Sequence, residues 1–121
     1  MESKQKNLLI VEDNTYIGNS IVNSAKEINV VKNIHLTDSI QEAISLLDNL
    51  TFNLIVLDLS LPDGSGLELL KLFKKKEIQK KILVFSTSIN LKQVCLKYGA
   101  HAFFDKANDF DELIETIKII D

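Results

Sequence analysis

Apolar residues recur along this chain in two alternating rhythms: short unbroken runs, and stripes spaced three and four apart. Leu8-Leu9-Ile10-Val11, Leu54-Ile55-Val56-Leu57 and Ile82-Leu83-Val84-Phe85 are runs of the first kind. Runs of this length between turn signals read as strands buried on both faces, and the stripes read as helices with one face inward. A strand is therefore predicted over Lys6 to Glu12, then a helix with Ile17, Ile21, Ala25 and Ile28 on one face and Asn14, Asn19, Asn23 and Lys26 on the wet side. A second strand over Val30 to Leu36 ends at Thr37-Asp38, which suits a cap for the next helix. That helix carries Ile40, Ala43, Ile44 and Leu47 and breaks near Asp48-Asn49. The third strand, Leu54 to Asp58, runs into a loop marked by Pro62, Gly64 and Gly66, which reads as a flexible wall beside Asp58. A helix follows with Leu67, Leu70 and Phe73 turned inward. Lys81 to Ser86 is the fourth strand, and Leu91, Val94, Cys95 and Tyr98 stripe a helix that Gly99 stops. Ala102 to Asp105 is the short fifth strand, and Phe110, Leu113, Ile114 and Ile117 form the last helix.

Strands alternating with helices at this spacing imply a doubly wound α/β domain, a five-stranded parallel sheet with five helices on its two faces. With both faces covered, the strands are expected to be apolar throughout. A chain of 121 residues is one domain, 1–121, and it carries no internal repeat or linker. At 45% hydrophobic and 26% charged residues the composition is that of an ordinary globular protein. No stretch approaches the ~18 apolar residues of a membrane span, and the polar start from Met1 to Asn7 is not a signal peptide, so a cytoplasmic protein with no membrane partner is expected. The single cysteine, Cys95, excludes a disulfide framework and reads as core. A net charge of -3 without a long basic run argues against direct nucleic-acid binding. Lys71, Lys74, Lys75 and Lys76 suit a helix carboxyl terminus, where cations oppose the macrodipole.

Candidate chemistry gathers at the carboxyl edge of this sheet, where ligands bind in open α/β folds. The first strand delivers Glu12 and Asp13 there, the third Asp58, the fourth Ser86 and the fifth Lys106. Carboxylates about 5 Å apart repel by roughly 3 kcal/mol per pair at an effective dielectric near 20. Something cationic must hold them. Lys106 is one such charge, and a hard divalent ion such as Mg²⁺, which needs one or two carboxylates plus a phosphate oxygen, suits the rest.

An acidic pair after the first strand, Asp58 after the third with Pro62 four residues on and Gly66 eight on, a hydroxyl at Ser86, and Gly99-Ala100 ahead of Lys106 make a specific set. The set resembles the receiver domain of response regulators in two-component and phosphorelay signalling, over Leu8 to Ile119. The resemblance implies a flavodoxin-like fold with strand order 2-1-3-4-5. It implies that Asp58 accepts a phosphoryl group from the phosphohistidine of a sensor histidine kinase or histidine phosphotransfer protein. Asp13, Asp58 and the backbone carbonyl of Ser60 would ligate Mg²⁺, with Glu12 acting through a bound water. Ser86 and Lys106 would hold phosphoryl oxygens, and Ser86 with Phe103 would form the switch. A downstream target would meet the fourth helix, fifth strand and fifth helix, a face carrying Lys92, Lys97, His101 and Lys118. Such a protein is a switch rather than an enzyme, with at most slow self-phosphorylation from small donors and slow self-dephosphorylation.

Three positions depart from the common pattern of that family. Glu12 stands for a frequent Asp, Ser86 for a frequent Thr, and Ala107 for the proline that usually follows the lysine with a cis peptide. A cis bond to a non-proline costs roughly 2.5–4 kcal/mol, so the Lys106-Ala107 peptide is expected to be trans or strained. Other classes fit poorly. A dehalogenase-type phosphatase wants a second acid where Ser60 stands, an FMN carrier wants a hydroxyl- and glycine-rich loop where Asn14-Thr15-Tyr16-Ile17 stands, and no Gly-x-Gly-x-x-Gly turn is present. The remaining alternative is a receiver-like interaction module that no longer accepts phosphate. The residues leave open a stand-alone receiver or part of a longer regulator. Of Ile119 and Ile120 one should face outward, which would suit contact with a second copy. His35 and His101 read as structural.

Overall fold

The computed structural model describes residues 6–78 and 80–120. In chain order the elements are β1 (Lys6–Val11), α1 (Thr15–Lys26), β2 (Val31–Thr37), α2 (Ile40–Asn49), β3 (Leu54–Leu57), α3 (Leu67–Lys75), β4 (Lys81–Ser86), α4 (Lys92–Lys97), β5 (Ala102–Asp105) and α5 (Phe110–Ile119). All five strands are parallel; β1 lies between β2 and β3, β4 follows β3, and β5 closes the far edge. This is an α/β sheet of flavodoxin-like type. Because successive side chains in a strand point to opposite faces, the apolar runs feed two cores at once. Leu9, Val11, Ile55, Leu57, Ile82 and Val84 pack with Ala43 of α2, Leu69, Leu70 and Phe73 of α3 and Cys95 of α4. Leu8, Ile10, Leu54, Val56, Leu83 and Phe85 pack with Ile21 and Ala25 of α1 and Leu113 and Ile117 of α5.

Several expectations are corrected. The β2 strand is not apolar throughout: as an edge strand it leaves Lys32, Asn33 and Leu36 exposed. Helix α3 buries Leu69 fully, and Leu67 only in part, because the helix meets the sheet one residue round from the face its outer leucines suggest. Helix α4 is a short segment behind a 3₁₀ turn at Ile89–Leu91, and Gly99 ends it at φ +97°, where a side chain would be strained. The Pro62–Gly66 loop is not a loose wall: Ser60–Leu61 pairs antiparallel with Gly64–Ser65 as a two-residue hairpin. The expectation that one of Ile119 and Ile120 faces outward is met, with Ile119 exposed and Ile120 buried.

The cap of α2 is also not Thr37-Asp38. Ser39 Oγ accepts from the Glu42 N–H at 3.1 Å, and from across the molecule Asp63 accepts from the N–H groups of Ile40 and Gln41, both at 2.9 Å. These are donors a helix start cannot satisfy internally. The two bonds hold the Asp63 carboxyl below its ordinary value of 3.8. Since the charged form is the one bonded in the fold, its contribution is complete above that value and lost as pH falls through the lower folded value. Asp63→Ala should melt below wild type at neutral pH. The gap should close in acid below 3.8, as thermal melts against pH would record.

Candidate functional site

Glu12 and Asp13 follow the last residue of β1, Asp58 the last of β3, Ser86 ends β4 and Lys106 follows the last of β5. Parallel pairing aligns these ends, with Asp58 N–H donating to the Val11 carbonyl at 2.9 Å and Lys106 N–H to the Ser86 carbonyl at 3.1 Å. The sheet thus brings together the residues singled out on the carboxyl edge. Glu12 and Asp58 are each 4% exposed, Ser86 is buried, and Asp13 is open to solvent.

Lys106 is the cation at the centre. Its Nζ donates to Glu12 Oε1 at 2.7 Å and to Asp58 Oδ2 at 3.1 Å. Burial alone would lower its pKa, but the bond to Glu12 and the charge of Asp58 outweigh that and hold it above 10.5. Burial pushes the Glu12 carboxyl above 4.5, with Lys106 and the Asn14 N–H pulling the other way. Glu12 meets Lys106 through Oε1. Its second oxygen, Oε2, accepts from the Asn14 N–H at 3.1 Å, and Asn14 in turn caps α1 by accepting from the Ile17 N–H at 3.0 Å. The first acid is therefore tied to the start of α1.

The Asp58 carboxylate is fixed from the other side, with Oδ1 accepting from the N–H of Leu59 at 2.8 Å and, more weakly, of Ser60 at 3.4 Å. Oxygens of Glu12, Asp13 and Asp58 lie within 4.8 Å of one another, a hard all-oxygen donor set that could hold a divalent ion. Ser86 Oγ accepts from the Ser88 N–H at 3.0 Å, so the hydroxyl is tethered to its own loop. Ser60 lies on the hairpin beyond Asp58. Phe103, opposite Val84 in the β5 ladder, is half-buried against the core that holds Cys95 and Ala100. The Lys106-Ala107 peptide is trans, as are all peptides among the described residues. An open cavity of about 310 Å³ lined by Tyr16, Ile17, Ser20, Phe85, Lys106 and Phe110 adjoins the lysine.

Sequence reasoning passed over Asn14 as a ligand for Glu12, although an asparagine just before an apolar stripe is a recognisable cap signal. It also passed over the Leu59 N–H, which leaves no trace in residue type. No described helix is long and apolar enough to cross a membrane.

Residues 8–118 match the family model described as the response regulator receiver domain. The chain is 34% identical over 115 residues to the cell cycle response regulator CtrA of Brucella ovis, covering 93% of this chain and 49% of that one. It thus spans about half the length of the curated relatives it matches. The receiver domain of Francisella response regulator 1452 superposes with a TM-score of 0.85 at 26% identity, covering 95% of each chain. The Thermotoga maritima response regulator TrrA, solved with Mg²⁺ and a beryllofluoride group, superposes with a TM-score of 0.82 at 25% identity over 94% of this chain and 97% of that one.

Proposed function

Since the chain belongs to the response regulator receiver family of two-component signalling, we propose that Asp58 is its phosphoacceptor and that the acids beside it hold Mg²⁺. The observation that carries this reading is the geometry of one carboxylate: Asp58 is buried, its Oδ1 fixed by the Leu59 N–H and its Oδ2 facing Lys106 at 3.1 Å. In the transfer, a carboxylate oxygen of Asp58 forms the new O–P bond. The bond from phosphorus to the donor breaks, and the donor, a histidine nitrogen or the oxygen of a small acyl phosphate, leaves with the electron pair. Lys106 already spans the two buried acids, and it can donate to a phosphoryl oxygen as the charge on Asp58 is masked. Ser86 supplies a hydroxyl one strand away; its oxygen accepts from the Ser88 N–H, and its O–H can donate to a phosphoryl oxygen.

Asp13 and Asp58, with the Ser60 carbonyl, would ligate the metal directly, and Glu12, held by Lys106 and the Asn14 N–H, would act through a bound water. Bound Mg²⁺ would neutralise the meeting of two anions and steady the transferring oxygens. That TrrA was solved with Mg²⁺ and a beryllofluoride group supports, by likeness, a metal at this acidic cluster. The donor would be a sensor histidine kinase or phosphotransfer protein approaching by Tyr16, which is 81% exposed beside the cavity at Lys106. The added charge would be read out through α4, β5 and α5 by way of Ser86 and Phe103. In this role the domain is a switch rather than an enzyme.

Intact mass after incubation with acetyl phosphate and Mg²⁺ is the test. Wild type should gain one phosphoryl group and Asp58→Asn none. Failure of wild type to gain it, repeated with a phosphohistidine donor, would sink the proposal and leave an interaction module.

A further inference from the structure

We propose that Asp105 is a positioning residue for Lys106, its carboxylate locking the turn from which the lysine projects toward Glu12 and Asp58. Lys106 leaves β5 on a flexible four-carbon stem, so its aim depends on how firmly the backbone on both sides is held. Behind it, the Lys106 N–H donates to Ser86 O. Ahead of it, Asp105 Oδ1 accepts from the Ala107 N–H at 2.9 Å and Oδ2 from Asn108 Nδ2 at 3.2 Å. The Asp105 carbonyl accepts from the N–H groups of Asp109 at 2.8 Å and Asn108 at 3.2 Å. Asp109 Oδ2 completes the ring by accepting from the Asp105 N–H at 2.9 Å.

The bond to residue 107 is possible because that residue is not proline, which has no N–H to donate. A side-chain-closed turn thus does here, with a trans peptide, the work of fixing the chain past the lysine. Without it Lys106 keeps its charge but loses its aim, and Glu12 and Asp58 lose a partner held at 2.7 and 3.1 Å.

The inference stands on this geometry, and only its kinetic arm rests on the phosphoacceptor reading. Limited acetylation of lysines with acetic anhydride, read by peptide mass, reports how well Lys106 is held without any phosphoryl transfer. Asp105→Ala should raise labelling of Lys106 several-fold relative to the exposed Lys26 and Lys92. Asp105→Asn, which keeps an acceptor for the Ala107 N–H, should stay near wild type. Asp109→Ala opens the same ring from the other side and should move labelling in the same direction if Asp105→Ala does not fold. Uptake from acetyl phosphate should slow about tenfold in Asp105→Ala, a loss of alignment rather than of a reacting group. In a Lys106→Ala background Asp105→Ala should slow it no further. Unchanged Lys106 labelling in both alanine variants, or slowing that adds in full to Lys106→Ala, would overturn the proposal. A wild type that takes up no phosphoryl group while labelling follows this pattern would strike the phosphoacceptor reading and leave the positioning role supported.

Discussion

Lys106→Met should lower the stability of the metal-free protein by about 3 kcal/mol, because removing one partner of a buried ionic cluster leaves the others uncompensated. The partners here are Glu12 and Asp58, each 4% exposed and each in contact with the lysine ammonium. In a domain of this size that loss corresponds to a fall in Tm of roughly 10 °C. Two further readouts give the effect its sign. The Glu12 carboxyl, already above 4.5 through burial, should rise further without its cation. A group whose folded pKa is raised favours the fold in its protonated form, an advantage present below 4.5 and lost as pH climbs through the folded value. The gap to wild type should therefore be widest at neutral pH and narrow in mild acid. Added Mg²⁺, which binds the folded state, should recover more of the variant's Tm than of the wild type's. Acetyl phosphate uptake should fall by about two orders of magnitude, the scale of losing one preorganised charged donor. A Tm equal to wild type at neutral pH would show that Lys106 does not hold the acids together.

Gly66→Ala should be as damaging for a different reason. Gly66 has φ -59° and ψ -20°, a conformation any residue adopts, so backbone freedom is not why it is glycine. A Cβ there would lie 2.1 Å from the Asp58 carbonyl oxygen and 3.1 Å from Leu57 Cδ1. Neither side can yield cheaply. The Asp58 N–H is bonded to Val11 in the sheet, and Gly66 is held by its N–H to the Leu59 carbonyl at 2.9 Å and by its own carbonyl at the start of α3. Overpacking costs about 1–3 kcal/mol, and a clash with backbone this close lies at the upper end. Because relief must come from moving Asp58 itself, uptake of phosphoryl should drop about a hundredfold along with Tm. Thermal melting beside acetyl phosphate kinetics would separate the two effects. Uptake at the wild-type rate would mean that the turn relaxes without disturbing Asp58.

The elements that lead to the carboxyl edge of the sheet were largely legible in residue order. Buried strands of a parallel sheet are written as apolar runs because both faces are covered, so β1, β3 and β4 could be read within a residue or so. The helices announced themselves by stripes, as in Ile17, Ile21 and Ala25. Edge strand β2 was harder, since an edge needs fewer apolar residues and its Lys32 and Asn33 face water. The positions of Glu12, Asp13, Asp58, Ser86 and Lys106 at strand ends follow from local pattern plus the rule that crossovers are right-handed and strands parallel.

What residue order determined, then, was the set of elements and the edge on which the charged groups meet. Tertiary structure alone decided how those groups are held. It set Lys106 between Glu12 and Asp58, brought the Lys106 N–H to the Ser86 carbonyl, sent Asp63 across to cap α2, and placed Gly66 against the Asp58 carbonyl. The division has a physical cause. Burial patterns are local and repeat with the period of the backbone, so they can be read along the chain. A hydrogen bond at 2.9 Å or a clash at 2.1 Å depends on where two distant segments arrive in space, which only the packed sheet and its helices determine.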